Sequence, residues 1–205
     1  MSGCEQVDEA YIDTLVVQEL ITDSEFSPPD GIGIDEALSI VSDYLKYEAG
    51  VKGDFENQIV FKEITTKALW DNSKQQVYRV SVSYAWLDGV AIFENGDLIK
   101  LLWGQDLLSV IAADLDSDGL YEICMNSNFG SGFVISGVYV YDSGTGVEYK
   151  FKNSGENRDI WDITIQANDD KTEVCVYGNK MNGTKGSEKL LGNLKIDENM
   201  LKVIE

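Results

Sequence analysis

The stretch Asp114-Leu-Asp116-Ser-Asp118-Gly119-Leu-Tyr-Glu122 carries four carboxylates around a single glycine. Carboxylates are hard oxygen donors, and acids at alternate positions aim successive side chains into the hollow of a curling loop. Gly119 permits a sharp turn that a Cβ would obstruct. The chemistry indicated is chelation of Ca²⁺. An EF-hand beginning at Asp114 would place a bidentate Glu at its twelfth position, where this chain has Met125.

Other chemistries find less support. The chain has no histidine, which removes the commonest general base and every Ser-His or Cys-His nucleophile pair. A glycoside hydrolase needs only two carboxylates, roughly 5 to 10 Å apart, and Glu63, Asp71, Asp88 and Asp162 keep that alternative open without selecting a pair. Cys124 and Cys175 lie in apolar, strand-like segments, as buried free thiols or as a disulfide between neighbouring strands. Two thiols without histidine cannot build the usual zinc shell. Trp70 and Trp86 adjoin turn signals and are expected to be exposed, as flat platforms for sugar rings, whereas Trp103 and Trp161 sit in apolar runs and are expected in the core. The polar, glycine-rich segment from Asn126 through Asn128 to Gly132, beside the acidic loop, is a candidate to supply an extra carbonyl ligand or to form a recognition loop.

A formal charge of −20, from 36 acids and 16 bases, argues against nucleic acid as a partner, because every approach to phosphate meets repulsion. A hydrophobic content of 43% over 205 residues belongs to a folded chain with a substantial core. No run of apolar residues is long enough for a membrane-spanning helix.

The elements that must position these groups are mostly strands. Ile34, Leu38, Val41 and Leu45 recur at helical spacing and predict one main helix over about residues 35–48, with Gly50 to end it. Thereafter the period is two. Val60–Thr66 and Gln76–Tyr84 alternate apolar and polar side chains, and Asn95-Gly96 between apolar runs marks a hairpin. Strand signals continue through Ile160–Ile165, Thr172–Tyr177, Leu190–Ile196 and Met200–Ile204. The expected fold is mostly β (α+β), with antiparallel sheets built from hairpins and meanders. Both prolines stand at Pro28-Pro29, so residues 1–30 read as an N-terminal arm or tether and 31–205 as the globular body. An apolar cluster at Tyr11–Ile21 in the arm reads equally as a helix or a short strand. An internal boundary near 104 would separate a helix-plus-meander half (31–104) from the half holding the acidic loop (105–205).

The acidic loop, the apolar run Gly132–Tyr141 and the turn Asp142-Ser-Gly-Thr-Gly146 together resemble the calcium-loop segments of FG-GAP and VCBS repeats, which occur in integrin-type propellers and bacterial surface proteins. The resemblance implies Asp114, Asp116, Asp118 and Glu122 as side-chain ligands and Leu120 as a backbone-carbonyl ligand. Those repeats come in several copies. This chain has one such loop, so a complete propeller is not expected. Ser2-Gly3-Cys4 resembles the end of a bacterial lipobox, which would make Cys4 a lipidation site and the only route to a membrane. The function expected is that of a non-enzymatic extracytoplasmic surface protein, lipid-anchored or secreted, with a structural Ca²⁺ loop. It would bind or scaffold an unknown surface partner, a glycan or a protein. A carbohydrate-binding module and a carboxylate-based hydrolase are the alternatives.

Overall fold

A computed structural model of the chain describes residues 12–16, 26–52, 58–129, 135–152, 160–168, 172–180 and 189–204. The main helix forms as expected. It spans Ile34–Asp43 (α1) and runs on as a π-helical turn, Tyr44–Glu48, before Gly50 takes a left-handed φ of 66°. Its buried side chains are Ala37, Val41 and Leu45, one per turn.

Three antiparallel meanders follow one another along the chain. The first joins β2 (Ile59–Glu63), β3 (Gln75–Val82), β4 (Leu87–Glu94) and β5 (Asp97–Gly104) in sequence order. The second joins β6 (Asp106–Ala113), β7 (Glu122–Phe129), β8 (Ile135–Tyr141) and β9 (Glu148–Lys152), with β1 (Ile12–Val16) added outside β6. The third joins β10 (Ile160–Ala167), β11 (Val174–Lys180), β12 (Lys189–Asp197) and β13 (Met200–Ile204). The fold is thus mostly β, and the described sheets close into neither a barrel nor a propeller. The arm segment that read as helix or strand contains a strand, whose Ile12 pairs with Ala113 and Val16 with Val110. Cys4 lies outside the described residues.

The layers stack in the order α1, first sheet, second sheet, third sheet. Ala37, Val41 and Leu45 meet Tyr78, Val80 and Phe93 on the outer face of the first sheet. Val77, Val90, Ile92 and Leu102 on its other face meet Val110, Ile123, Met125 and Tyr139 of the second. Ile111, Cys124, Val138 and Val140 then meet Ile163, Ile165, Val174 and Val176 of the third. The second sheet is covered on both faces. Its strand β7 is accordingly buried at six consecutive positions from Glu122 to Ser127, rather than at alternate ones. Cys124 and Cys175 are both buried and both free thiols. No described helix is long and apolar enough to cross a membrane.

Two expectations are corrected. Trp70, expected exposed beside a turn, is half-buried on a short helix, α2 (Lys67–Ser73). Thr66 caps it by accepting the Leu69 N–H at 3.3 Å, and Lys74 ends it at a φ of 59°. Trp103 is not in the core, being 44% exposed on β5. It is the cross-strand neighbour of Gly89, which has no side chain to cover it. The Trp161 side chain lies outside the described residues.

Candidate metal site

The acidic loop connects β6 to β7, whose last and first residues, Ala113 and Glu122, are paired. Ser117 and Gly119 take positive φ values of 67° and 88° and turn the chain back on itself. Each acid of the loop then uses one oxygen to hold the loop's own backbone. Asp114 Oδ2 accepts the Gly119 N–H at 3.1 Å, Asp116 Oδ1 the Asp118 N–H at 3.1 Å, and Asp118 Oδ1 the Leu120 N–H at 2.7 Å. Glu122 Oε2 accepts the Leu115 N–H.

The second oxygens decide what the loop can do. Asp114 Oδ1 and Glu122 Oε1 are buried and have no hydrogen-bond partner. One carboxylate oxygen each from Asp114, Asp116 and Glu122 lies within 4.8 Å of the others, a spacing at which a single ion can contact all three. Glu122 is fully buried, Asp114 half-buried and Asp116 exposed, so the group opens from the protein interior to solvent. Leaving negative oxygens buried and unpartnered costs several kcal/mol unless a proton or a cation meets them. Burial, with the charges of Asp116, Asp142 and Asp114 added, pushes the Glu122 carboxyl up to about 9 against the opposing Leu115 N–H. Asp116 is raised for the same leading reason, burial, and then by its acidic neighbours. A bound divalent cation reverses that logic by favouring the charged forms. The residues present therefore fit a hard metal ion.

Of the expected ligands, the structure brings together Asp114, Asp116 and Glu122. Asp118 stands outside that group. Its Oδ2 sits 2.4 Å from where a Cβ on Gly144 would be, against the β8–β9 turn. Leu120 engages the loop through its N–H.

Two neighbours hold the loop in place. Asn72, on α2, donates from Nδ2 to Gly119 O and accepts the Tyr121 N–H at Oδ1, both at 2.9 Å. The Ser143 hydroxyl lies within hydrogen-bond reach of Tyr121 O and of Gln75 Oε1. Sequence reasoning missed Asn72, Asp142 and Ser143. The only signal for the last two was the Asp-Ser-Gly-Thr-Gly turn, read as a connection and not as part of a site.

The remaining candidates divide. Trp86 is 68% exposed, at a positive φ of 53° in the turn between β3 and β4. Trp70 is half-buried, with Lys74 Nζ 5.4 Å from its ring centre. The two tryptophans lie at opposite ends of β3, roughly 25 Å apart at about 3.3 Å per residue, so they form no common cleft. Asn126 has no solvent face. Its Nδ2 donates to Gly137 O at 3.1 Å and to Ile163 O at 3.0 Å, tying the second sheet to the third instead of contacting a ligand. Asn128 is half-buried and accepts the Ser136 hydroxyl at 2.7 Å. Among the acids weighed for hydrolysis, Asp88 is held by Arg79 at 2.9 and 3.2 Å and by the Leu107 N–H at 3.1 Å. Asp71 pairs with Lys67, and Glu63 accepts from Gln76. The Asp162 side chain lies outside the described residues.

Comparison with known proteins gives no match, whether to a family model, a curated protein or a solved structure.

Proposed function

We propose that this chain is a non-enzymatic extracytoplasmic protein of the bacterial surface, secreted or lipid-anchored at Cys4, whose Asp114–Glu122 loop binds Ca²⁺ as a structural brace. One observation carries the metal part of this reading: Asp114 Oδ1 and Glu122 Oε1 are buried and unpartnered in residues that, with Asp116, bring one carboxylate oxygen each within 4.8 Å of one another. The donors are all oxygens, the loop spacing resembles that of FG-GAP and VCBS segments, and that resemblance adds Asp118 and the Leu120 carbonyl as ligands, although the structure leaves Asp118 outside the gathered three. Ca²⁺ accepts such irregular sets, whereas Mg²⁺ demands a near-ideal octahedron. The surface location rests on the same resemblance and on Ser2-Gly3-Cys4. Extracellular modules bind Ca²⁺ with Kd values on the order of 10⁻⁴ to 10⁻³ M. At 10 mM Ca²⁺ the melting temperature should then exceed that in chelator by roughly 3–10 °C, from mass action and the entropy of unfolding of a chain this size. An unchanged melting temperature, together with no Tb³⁺ luminescence sensitised by Tyr121 or Tyr141, defeats the metal reading.

A second reading concerns the partner. Trp86 and Trp103 are both exposed, at the end of the first sheet opposite the acidic loop. Exposed indole faces offer flat apolar surface against which a sugar ring can lie. Quenching of tryptophan fluorescence by a soluble glycan supports a carbohydrate-binding module. Release of reducing sugar would instead favour the hydrolase.

A further inference from the structure

The turn that follows β8 brings a fifth carboxylate to the acidic loop. Asp142 is 1% exposed. Its Oδ1 accepts the Thr145 N–H at 2.9 Å, its N–H donates to Val147 O at 2.9 Å, and its carbonyl accepts the Gly146 N–H at 2.8 Å. The carboxylate is thus fixed on a rigid turn. That turn is pressed against the loop. A Cβ on Gly144 would lie 2.4 Å from Asp118 Oδ2, and the same point lies 3.5 Å from Asp142 Oδ1. Ser143 reaches Tyr121 O, next to Glu122. The charge of Asp142 acts on both Asp116 and Glu122. Among the described residues, no Lys or Arg forms an ion pair with Asp114, Asp116, Asp118, Glu122 or Asp142.

The turn thus holds a buried acid close to the loop whose Asp114 Oδ1 and Glu122 Oε1 are buried and unpartnered, an arrangement that a bound cation would stabilise. We infer that Asp142 belongs to the cation site as a carboxylate outside the inner ligands, so that one ion joins the β6–β7 loop to the β8–β9 turn. Asp142 stands outside the three acids gathered within 4.8 Å, so it acts from beyond that inner set. Outer-sphere carboxylates of this kind orient coordinated water and ligands and tune the affinity of the site. This inference rests on the loop binding a cation at all, and its test separates the two.

Titration calorimetry of the full chain with CaCl₂ at fixed ionic strength provides that test. Asp142→Asn keeps an oxygen for the Thr145 N–H but loses the charge, and should weaken Ca²⁺ binding about tenfold. Asp142→Ser, whose hydroxyl also accepts that N–H, should show the same loss and stands in if the amide variant does not fold. Glu94→Gln, on the adjacent β4–β5 hairpin, should stay within about twofold of wild type, because solvent and salt screen a charge not aimed at the ion. Wild-type affinity in both Asp142 variants overturns the inference and leaves the cation site standing. An equal loss in Glu94→Gln overturns it in favour of general charge. Absence of binding in the wild type overturns both.

Discussion

At the end of the stacked sheets where β6 passes into β7, buried carboxylates are drawn together and tied by Asn72 and Ser143 to neighbouring elements. At the opposite end, where β3 turns into β4, Trp86 and Trp103 stand in solvent. The first end concentrates like charge inside the fold. The second exposes apolar surface that burial would have stabilised. The first is the sharper departure, since buried unpartnered carboxylates are rare, whereas exposed apolar residues such as Tyr47, Val60 and Met200 occur elsewhere on this surface as well. The acidic group and the exposed tryptophans are thus about a strand length apart.

The contrast breaks most sharply at the acidic end. Asp116→Asn, an exposed position, should leave the melting temperature in chelator unchanged or raised while abolishing the Ca²⁺-dependent increment. Glu122→Gln should do the same. In chelator near neutral pH the Glu122 carboxyl, pushed up to about 9 by burial, is already neutral, so the amide should change the melting temperature little there. Thermal melts with and without Ca²⁺ measure both. If Asp116→Asn retains the full increment, the loop is an acidic turn and the distinction between the two ends disappears.

Next in size is the attachment of the loop to the first sheet. Asn72→Ala deletes two hydrogen bonds of 2.9 Å and leaves the Gly119 carbonyl and the Tyr121 N–H to find other partners. A destabilisation of about 1–3 kcal/mol by urea unfolding is expected. The response to Ca²⁺ should persist, since Asn72 holds backbone and not the ion. A loss below about 0.5 kcal/mol would mean that the loop is held by its own Asx-type bonds alone.

Much of this architecture was legible in the residues. Asn95-Gly96 specified its hairpin, Ala37, Val41 and Leu45 fall on the predicted helix, and the spacing of Asp114, Asp116 and Glu122 marked the loop. What escaped has physical reasons. Helix α2 is seven residues long, too short for a period to show, and its Thr66 cap lies in a run that also reads as strand. Asn72 precedes Gly119 by 47 residues, a separation that only tertiary packing closes. Trp103 reads as core because its neighbours on β5 are apolar, yet whether β5 is covered at that point depends on the reach of α1 and on Gly89 opposite.

A smaller effect distinguishes two acids of the same end by their counter-charges. Glu148, at the start of β9, is raised by burial, but Lys100 and Lys150 bond to it and more than compensate, so its carboxyl is held below the ordinary value of 4.5. A folded-state pKa below the unfolded one means that the contribution is complete above the unfolded value and is lost as pH falls through the folded one. Wild type should therefore lose stability below about pH 4.5 by a component that Glu148→Gln lacks. Melting temperatures from pH 5 to pH 2.5 test it. Parallel acid limbs for the two proteins would show that the lysines do not compensate.

The smallest effect on folding belongs to the aromatic end. Trp86 is 68% exposed and holds a left-handed backbone that a bulky side chain adopts only at a cost. Trp86→Ala removes little buried surface, so stability should move by no more than about 0.5 kcal/mol. If Trp86 is instead a packing residue, the same change should cost about 3 kcal/mol or more, as for a core tryptophan. Urea unfolding separates these outcomes, and glycan titration of the same variant then has a clear meaning. A folded, equally stable Trp86→Ala that no longer shows the quenching seen in wild type places the contact at this end. Persistent quenching moves it to Trp103 or away from the first sheet.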